Sequence, residues 1–225
     1  MDTLFAPIYD ENWGAVIEPT HQQWFQRFLS LCPSQATVLD AACGTGKYWP
    51  LILASGRSIF GIDQSQGMLA RATQKFPDIP VTKMGLQEMS YDRAFQGATC
   101  MDAMEFVFPE DWQRVLHNFY QALTPQAYFY FTVEIADENE IRDAFSAGQE
   151  LGIPVVYGES GHEEGYHYYP KIEQVKIWIE GARLRLLEEA VGEEYHHFLV
   201  QKHPGKKQCG QALRQSRTIV VYPEE

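Results

Sequence analysis

The chain of 225 residues carries 30 acidic and 18 basic side chains, a net charge of −12 at neutral pH, and is 45% hydrophobic and 13% aromatic. Its size suits one α/β domain with a single core, while the charge disfavours nucleic acid as a partner, because affinity for a phosphate backbone comes from cationic groups that displace counterions. No apolar run reaches membrane-span length, the start MDTLFAPIYDENWG lacks the basic flank and apolar block of a secretory signal, and Cys32, Cys43, Cys100 and Cys209 form no CxxC pair, so a cytoplasmic protein with reduced thiols and no membrane partner is expected.

Residues 12–31 set Trp24, Phe25, Phe28, Leu29 and Leu31 at roughly helical spacing and predict an amphipathic helix lying over a sheet. The apolar run TVLDA predicts a first strand, and YWPLILASG a helix that tolerates Pro50 in its first turn. The alternation continues with the strand RSIFGID, the helix SQGMLARATQKF capped by Ser65, and the strand PVTKM. GATCMDAMEF reads as a fourth strand and its end, PEDWQRVLHNFYQAL as a helix, and QAYFYFTVE as a fifth strand. Such alternation predicts a doubly wound, mostly parallel sheet with helices on both faces, a Rossmann-like α/β fold.

Residues 136–170 interrupt the pattern and are expected to form a helix and a mobile Gly- and Tyr-rich loop over the active face, before the helix IEQVKIWIEGA. RLRLLEEAV and EYHHFLVQK, parted by little more than Gly192 and Glu193, predict an antiparallel hairpin that completes a seven-stranded sheet. The whole is expected to be a single domain over residues 1–225. It divides into a helical cap (1–35), a cofactor-binding core (36–135), a substrate lid (136–170), a C-terminal helix and hairpin (171–202) and a locally basic, solvated tail (203–225).

In an open parallel sheet, ligands bind beyond the carboxyl ends of the strands, near the point where strand order reverses. The turn there is DAACGTGKYWP, with Gly44 and Gly46. A dinucleotide fingerprint requires a third glycine where Trp49 stands, which argues against NAD. A Walker-type loop would need glycine at Ala41 and a hydroxyl where Tyr48 stands, which argues against ATP. What remains is Asp40 at a strand end, two glycines that let a ligand approach the backbone, and a helix N-terminus. The second strand ends in Asp63, whose carboxylate has acceptor capacity for both hydroxyls of a ribose.

VLDAACGTG, GIDQSQGMLARA and ALTPQAYFYF together resemble the class I S-adenosylmethionine-dependent methyltransferases, in particular the broad small-molecule group known as methyltransferase type 11 or 25. The resemblance spans roughly residues 36–135. It implies an enzyme that moves a methyl group from S-adenosylmethionine to an oxygen or nitrogen atom of a small molecule by in-line displacement, leaving S-adenosylhomocysteine. By the same resemblance, Asp40, Ala41, Ala42, Cys43, Gly44 and Gly46 surround the methionine portion of the cofactor. Asp63, with Gln64 beside it, grips the ribose. Met68, Gly85, Leu86 and Gln87 flank adenine, with Gln87 or backbone groups serving where the family often has an acid in place of Leu86. Met101, Asp102 and Ala103 line the wall near the sulfonium.

On the acceptor side, the candidate catalytic residues are Glu105, just beyond the fourth strand, His167 as a general base, and Tyr9. Trp13, Tyr166, Tyr168 and Tyr169 are the candidate substrate contacts, the three tyrosines as an aromatic wall suited to a cation or planar ring. HEEGYH spaces His162 and His167 five apart where a zinc-protease helix needs four, so no metal is expected. His196 and His197 fall on opposite faces of a strand and do not act as a pair. A monomer or homodimer is expected. The alternative is a non-catalytic S-adenosylmethionine-binding sensor or interaction protein, since a fold does not fix a function.

Overall fold

A computed structural model of the chain describes residues 8–14, 16–162 and 165–203. Helix α1 (Pro19–Leu31) precedes an alternating core of β1 (Thr37–Ala41), α2 (Trp49–Ala54), β2 (Ser58–Asp63), α3 (Gln66–Lys75), β3 (Val81–Lys83), β4 (Phe95–Cys100), α4 (Trp112–Ala122) and β5 (Leu123–Glu134). Then come α5 (Glu138–Glu150), β6 (Glu159–His162), β7 (Gly165–Tyr168), α6 (Ile172–Gly181), β8 (Leu184–Val191) and β9 (Tyr195–Lys202). A seven-stranded sheet runs in the order β3-β2-β1-β4-β5-β9-β8. Its first five strands are parallel, whereas β9 lies antiparallel between β5 and β8.

Strand alternation sends side chains to the two faces and gives each face its own core. In β5, Phe129, Phe131 and Val133 join Trp112, Phe119 and Trp178 beneath α4 and α6. Tyr130, between them in sequence, joins Phe25, Phe28, Trp49 and Leu69 beneath α1, α2 and α3.

Two expectations are corrected. The first helix begins at Pro19 rather than at residue 12: Pro19 takes the first helical position, where the absent N–H leaves nothing unsatisfied, and residues Asp10–Gly14 form a separate π-helical turn. The expected loop after α5 is instead a two-stranded hairpin, β6 against β7, with Glu159 opposite Tyr168 and His162 opposite Gly165. The tail from residue 204 lies outside the described residues.

Trp49, which breaks the dinucleotide fingerprint, is fully buried where α2 crosses the sheet. Its ring fills the space above two glycines: an added Cβ at either Gly46 or Gly61 would sit 2.7 Å from it. The indole Nε1 donates to Asp40 Oδ2 at 2.8 Å, so the residue that excludes one cofactor type also braces the strand that serves another. Gly46 has φ +79° as well as the ring contact, whereas Gly44 has φ +54° with open space around it. Gly44→Ala is therefore expected to cost about 1–2 kcal/mol from the left-handed backbone alone. Gly46→Ala adds overpacking and is expected to cost about 2–5 kcal/mol. Urea unfolding of the two variants checks that order.

Candidate active site

The strand order reverses between β1 and β4, and the loops after these strands part there. Each of the central parallel strands carries an acid at or just beyond this edge: Asp40 in β1, Asp63 at the end of β2, Asp102 after β4 and Glu134 at the end of β5. Glu105 follows in a 3₁₀ turn, Met104–Phe106. The edge is thus a row of carboxyl groups.

Asp63 faces the glycine turn. Its Oδ2 accepts from Gly44 N and its Oδ1 from Ser65 N, both at 2.8 Å, tying the loop after β1 to the start of α3. Ser65 caps α3 as expected, accepting from Met68 N. Ala42 sits in the turn at φ 56°, a left-handed conformation that costs a non-glycine residue about 1–2 kcal/mol. Strain is thus held in the loop beside the ligand edge.

Asp40 accepts from Thr99 Oγ1 at 2.7 Å as well as from Trp49. Burial pushes its carboxyl up to about 6, with those two hydrogen bonds opposing the rise and the charges of Asp63 and Asp102 adding to it. Cys43 is buried, and its thiol is pushed well above its ordinary value by that burial and by Asp40 and Asp63, so it is a space-filling residue of the turn.

Asp102 has φ 51° and collects hydrogen bonds from three elements. His21 Nε2 of α1 lies 3.1 Å from Oδ1, Tyr48 OH donates to Oδ2 at 2.8 Å, and Thr132 Oγ1 of β5 donates to Oδ1 at 3.3 Å. Burial would raise this carboxyl, but the hydrogen bond and charge of His21, then Tyr48 and Lys47, hold it below its ordinary value. It is a fixed anion in the pocket wall.

The cavity at this junction is lined by Tyr9, Asp40, Ala42, Cys43, Gly44, Lys47, Tyr48, Met101 and Asp102 and measures about 40 Å³. Small-molecule sites typically measure about 300–1,000 Å³, so a nucleoside requires movement here. Tyr9 is the lining residue contributed by the N-terminal segment. Its segment is held down by Asp10, which accepts from Thr45 Oγ1 and from Lys75 Nζ at 3.0 Å and lies 3.7 Å from Arg71 Nε. The Tyr9 hydroxyl is pushed up to about 12, first by burial and then by Asp102, Asp63, Asp10 and Glu105. Tyr9 is therefore within the field of Asp63, Asp102 and Glu105.

Not every expected residue reaches this space. Ala41 and Ala103 are core residues, and the Leu86 side chain is also buried in the core. The carbonyls of Leu86 and Gln87 accept from Asn118 Nδ2 at 3.0 and 3.2 Å. Gln64, Met68 and Gly85 stand along the same sheet edge, outside the small cavity. Gly46 lies under Trp49.

The tyrosine wall is split by the alternation of β7. Tyr168 is a buried core residue against Trp112, with ring centroids 6.5 Å apart. Tyr166 packs on Phe108 at 4.5 Å and donates to Glu159 Oε1. His167 and Tyr169 stack with each other at 5.9 Å, and His167 Nε2 lies 4.0 Å from Glu134 Oε2. The side chains of Trp13 and His162 lie outside the described residues.

Sequence reasoning passed over Lys47, Tyr48, His21 and Glu134. The first two directly follow Gly46, and that adjacency was the available signal. His21 had none, because it stands 81 residues from the acid it supports. His196 and His197 do part as expected, to Glu189 on one face and Tyr130 on the other.

Residues 38–126 match the family model described as a methyltransferase domain. Over this segment the chain is similar to the S-adenosylmethionine-dependent methyltransferases. YqeM of Bacillus subtilis (strain 168), provisionally named a methyltransferase, is 27% identical over 172 residues, 66% of this chain and 68% of that protein. The dTDP-3-amino-3,6-dideoxy-alpha-D-glucopyranose N,N-dimethyltransferase of Streptomyces fradiae is 35% identical over 69 residues, 31% of this chain and 27% of that protein. In fold, the chain is similar to a methyltransferase structure from Methanosarcina mazei, with a TM-score of 0.68 at 15% identity, covering 83% of this chain and 98% of that one. The methyltransferase match begins with β1 and ends within β5, so α1, the β6–β7 hairpin and the closing strands are supplied from outside it.

Proposed function

We propose that this methyltransferase acts on an oxygen or nitrogen atom of a small molecule. The observation that carries the reading is the meeting of the Gly44 turn, Asp63 and Asp102 where strand order reverses. S-adenosylmethionine bears a sulfonium, an ammonium, a carboxylate and a ribose diol, and this set of groups matches a turn with exposed backbone beside several carboxylates. Asp63 would accept from the ribose, the backbone from Ala42 to Gly44 would meet the methionine portion, and Asp102 and Met101 would face the sulfonium. Gln64, Met68, Gly85 and Gln87 would border the base.

When bound, the cofactor supplies a methyl group already activated by positive charge. The protein's part is to orient the acceptor and exclude water, which contributes up to about 7–11 kcal/mol where alignment is good. Tyr9 closes the pocket once its segment returns over the ligand, and α5 with the β6–β7 hairpin serves as the acceptor lid. Glu105 and the His167–Glu134 pair are the groups placed to hold a proton. The N,N-dimethyltransferase name of the Streptomyces fradiae relative supports nitrogen.

A calorimetric titration with S-adenosylhomocysteine is expected to saturate. Absence of binding sinks the proposed cofactor site. Saturable binding without methyl transfer to any member of a panel of paired amines and alcohols favours the sensor reading instead.

A further inference from the structure

Glu105 is only 2% exposed, and its Oε2 has no hydrogen-bond partner in the described structure. Unpartnered carboxyl oxygens are rarely kept in a core, because each carries an uncompensated desolvation cost. The groups around it explain neither its burial nor its identity as satisfied structure. Cys100 is behind it in β4, Asp102 is in the same loop, and Glu134 is at the end of β5. Tyr9, Tyr169 and Tyr195 approach from the N-terminal segment, the end of β7 and the start of β9, each feeling its charge. His167, 4.0 Å from Glu134, packs its ring on the neighbouring Phe106 at 4.9 Å. The charges acting on this carboxyl are thus those of two acids, Asp102 and Glu134, and His167 stands 4.0 Å from the second of them.

We propose that Glu105 is the recognition group for a protonated amine, so that the acceptor is a small molecule bearing a primary or secondary amino group. This rests on the reading that the pocket takes a methyl acceptor. An ammonium matches every wall: Glu105 and Glu134 complement its charge, and Tyr9, Tyr169 and Tyr195 offer ring faces and hydroxyls. An alcohol brings no charge to complement them.

Burial, then the charges of Asp102 and Glu134, pushes the Glu105 carboxyl well above its ordinary value, against the opposing hydrogen bond from its own backbone N–H. Ammonium binding is then coupled to a proton: where the carboxyl is protonated, its proton passes to solvent as the carboxylate–ammonium pair forms, and transfer to that nitrogen requires the ammonium to give one proton back to the Glu105 carboxylate, which frees the nitrogen lone pair. An opposite charge at contact distance lowers a carboxyl's titration midpoint by about 1–3 pH units.

The test is carbon-13 NMR of the glutamate carboxyls, with the Glu105 signal assigned by its loss in Glu105→Gln, or in Glu105→Asp should that variant alone fold. Its midpoint is followed in ethylammonium chloride against potassium chloride at matched ionic strength, and in D-glucosamine against D-glucose. A fall of at least about one pH unit with either amine is expected. The same midpoint in both amines as in both controls overturns the proposal, as does a midpoint in the ordinary glutamate range without any additive. Titrations run with and without S-adenosylhomocysteine keep a failure of cofactor binding separate from a failure at Glu105.

Discussion

Asp63→Ala is expected to weaken S-adenosylhomocysteine binding by about 10²-fold or more. Besides its proposed ribose contact, the carboxylate holds Gly44 N and Ser65 N at 2.8 Å each, so its removal also unties the glycine turn from the N-terminus of α3. Hydrogen bonds to a charged group contribute about 1.5–3 kcal/mol each, and a tenfold change in affinity is about 1.4 kcal/mol. Two lost ribose bonds would account for the predicted loss even when water recovers part of them, and the loosened glycine turn adds to it. Asp63→Asn separates shape from charge: its oxygen keeps one N–H, while its NH₂ confronts the other. Affinity should fall in the order aspartate, asparagine, alanine. An unchanged dissociation constant in the alanine variant, measured by calorimetry on protein that still melts cooperatively, contradicts both the ribose role and the bracing role.

Glu105→Gln is expected to raise the melting temperature at neutral pH while impairing methyl transfer. The folded carboxyl is raised above its ordinary value by burial, whereas the unfolded chain titrates near 4.5. Below that pH both states hold the proton, and the group has no effect on the pH slope. Above it the unfolded state ionises and the folded state does not, so stability falls by about 1.4 kcal/mol per pH unit until the folded midpoint is reached. Glutamine never titrates, so the variant's advantage should be smallest near pH 4 and widen as pH rises. In a domain of this size about 1 kcal/mol moves the melting temperature by roughly 2–4 °C. Asp40, also raised, titrates in both proteins and cancels from the difference. A gain that does not depend on pH, or a loss at pH 7, removes the description of Glu105 as a buried neutral acid kept for function at the expense of stability.

The acidic row shows how far local spacing reaches. Asp40 and Asp63 were readable because each closes a short apolar strand, and parallel strands bring their carboxyl ends to one edge. Glu105 was readable by the same logic, as a residue just beyond β4, but its burial was not: a turn acid is ordinarily solvated, and only the hairpin, β9 and the Tyr9 segment enclose this one. The tyrosines of β7 failed for a related reason. Sequence proximity suggested a wall, but strand alternation sent Tyr168 into the core and left Tyr169 toward the acids with His167.

The sequence by itself determined the βα order, the glycine turn, the Ser65 cap and the closing hairpin, because hydrophobic period, backbone freedom and capping act over a few neighbouring residues. Only the tertiary structure decided that Trp49 fills the space above Gly46 and Gly61, that His21 of α1 holds Asp102, and that Tyr9 lines the ligand junction. These contacts join groups brought together by the packing of whole elements, and no local period encodes which side chain a distant carboxylate will meet.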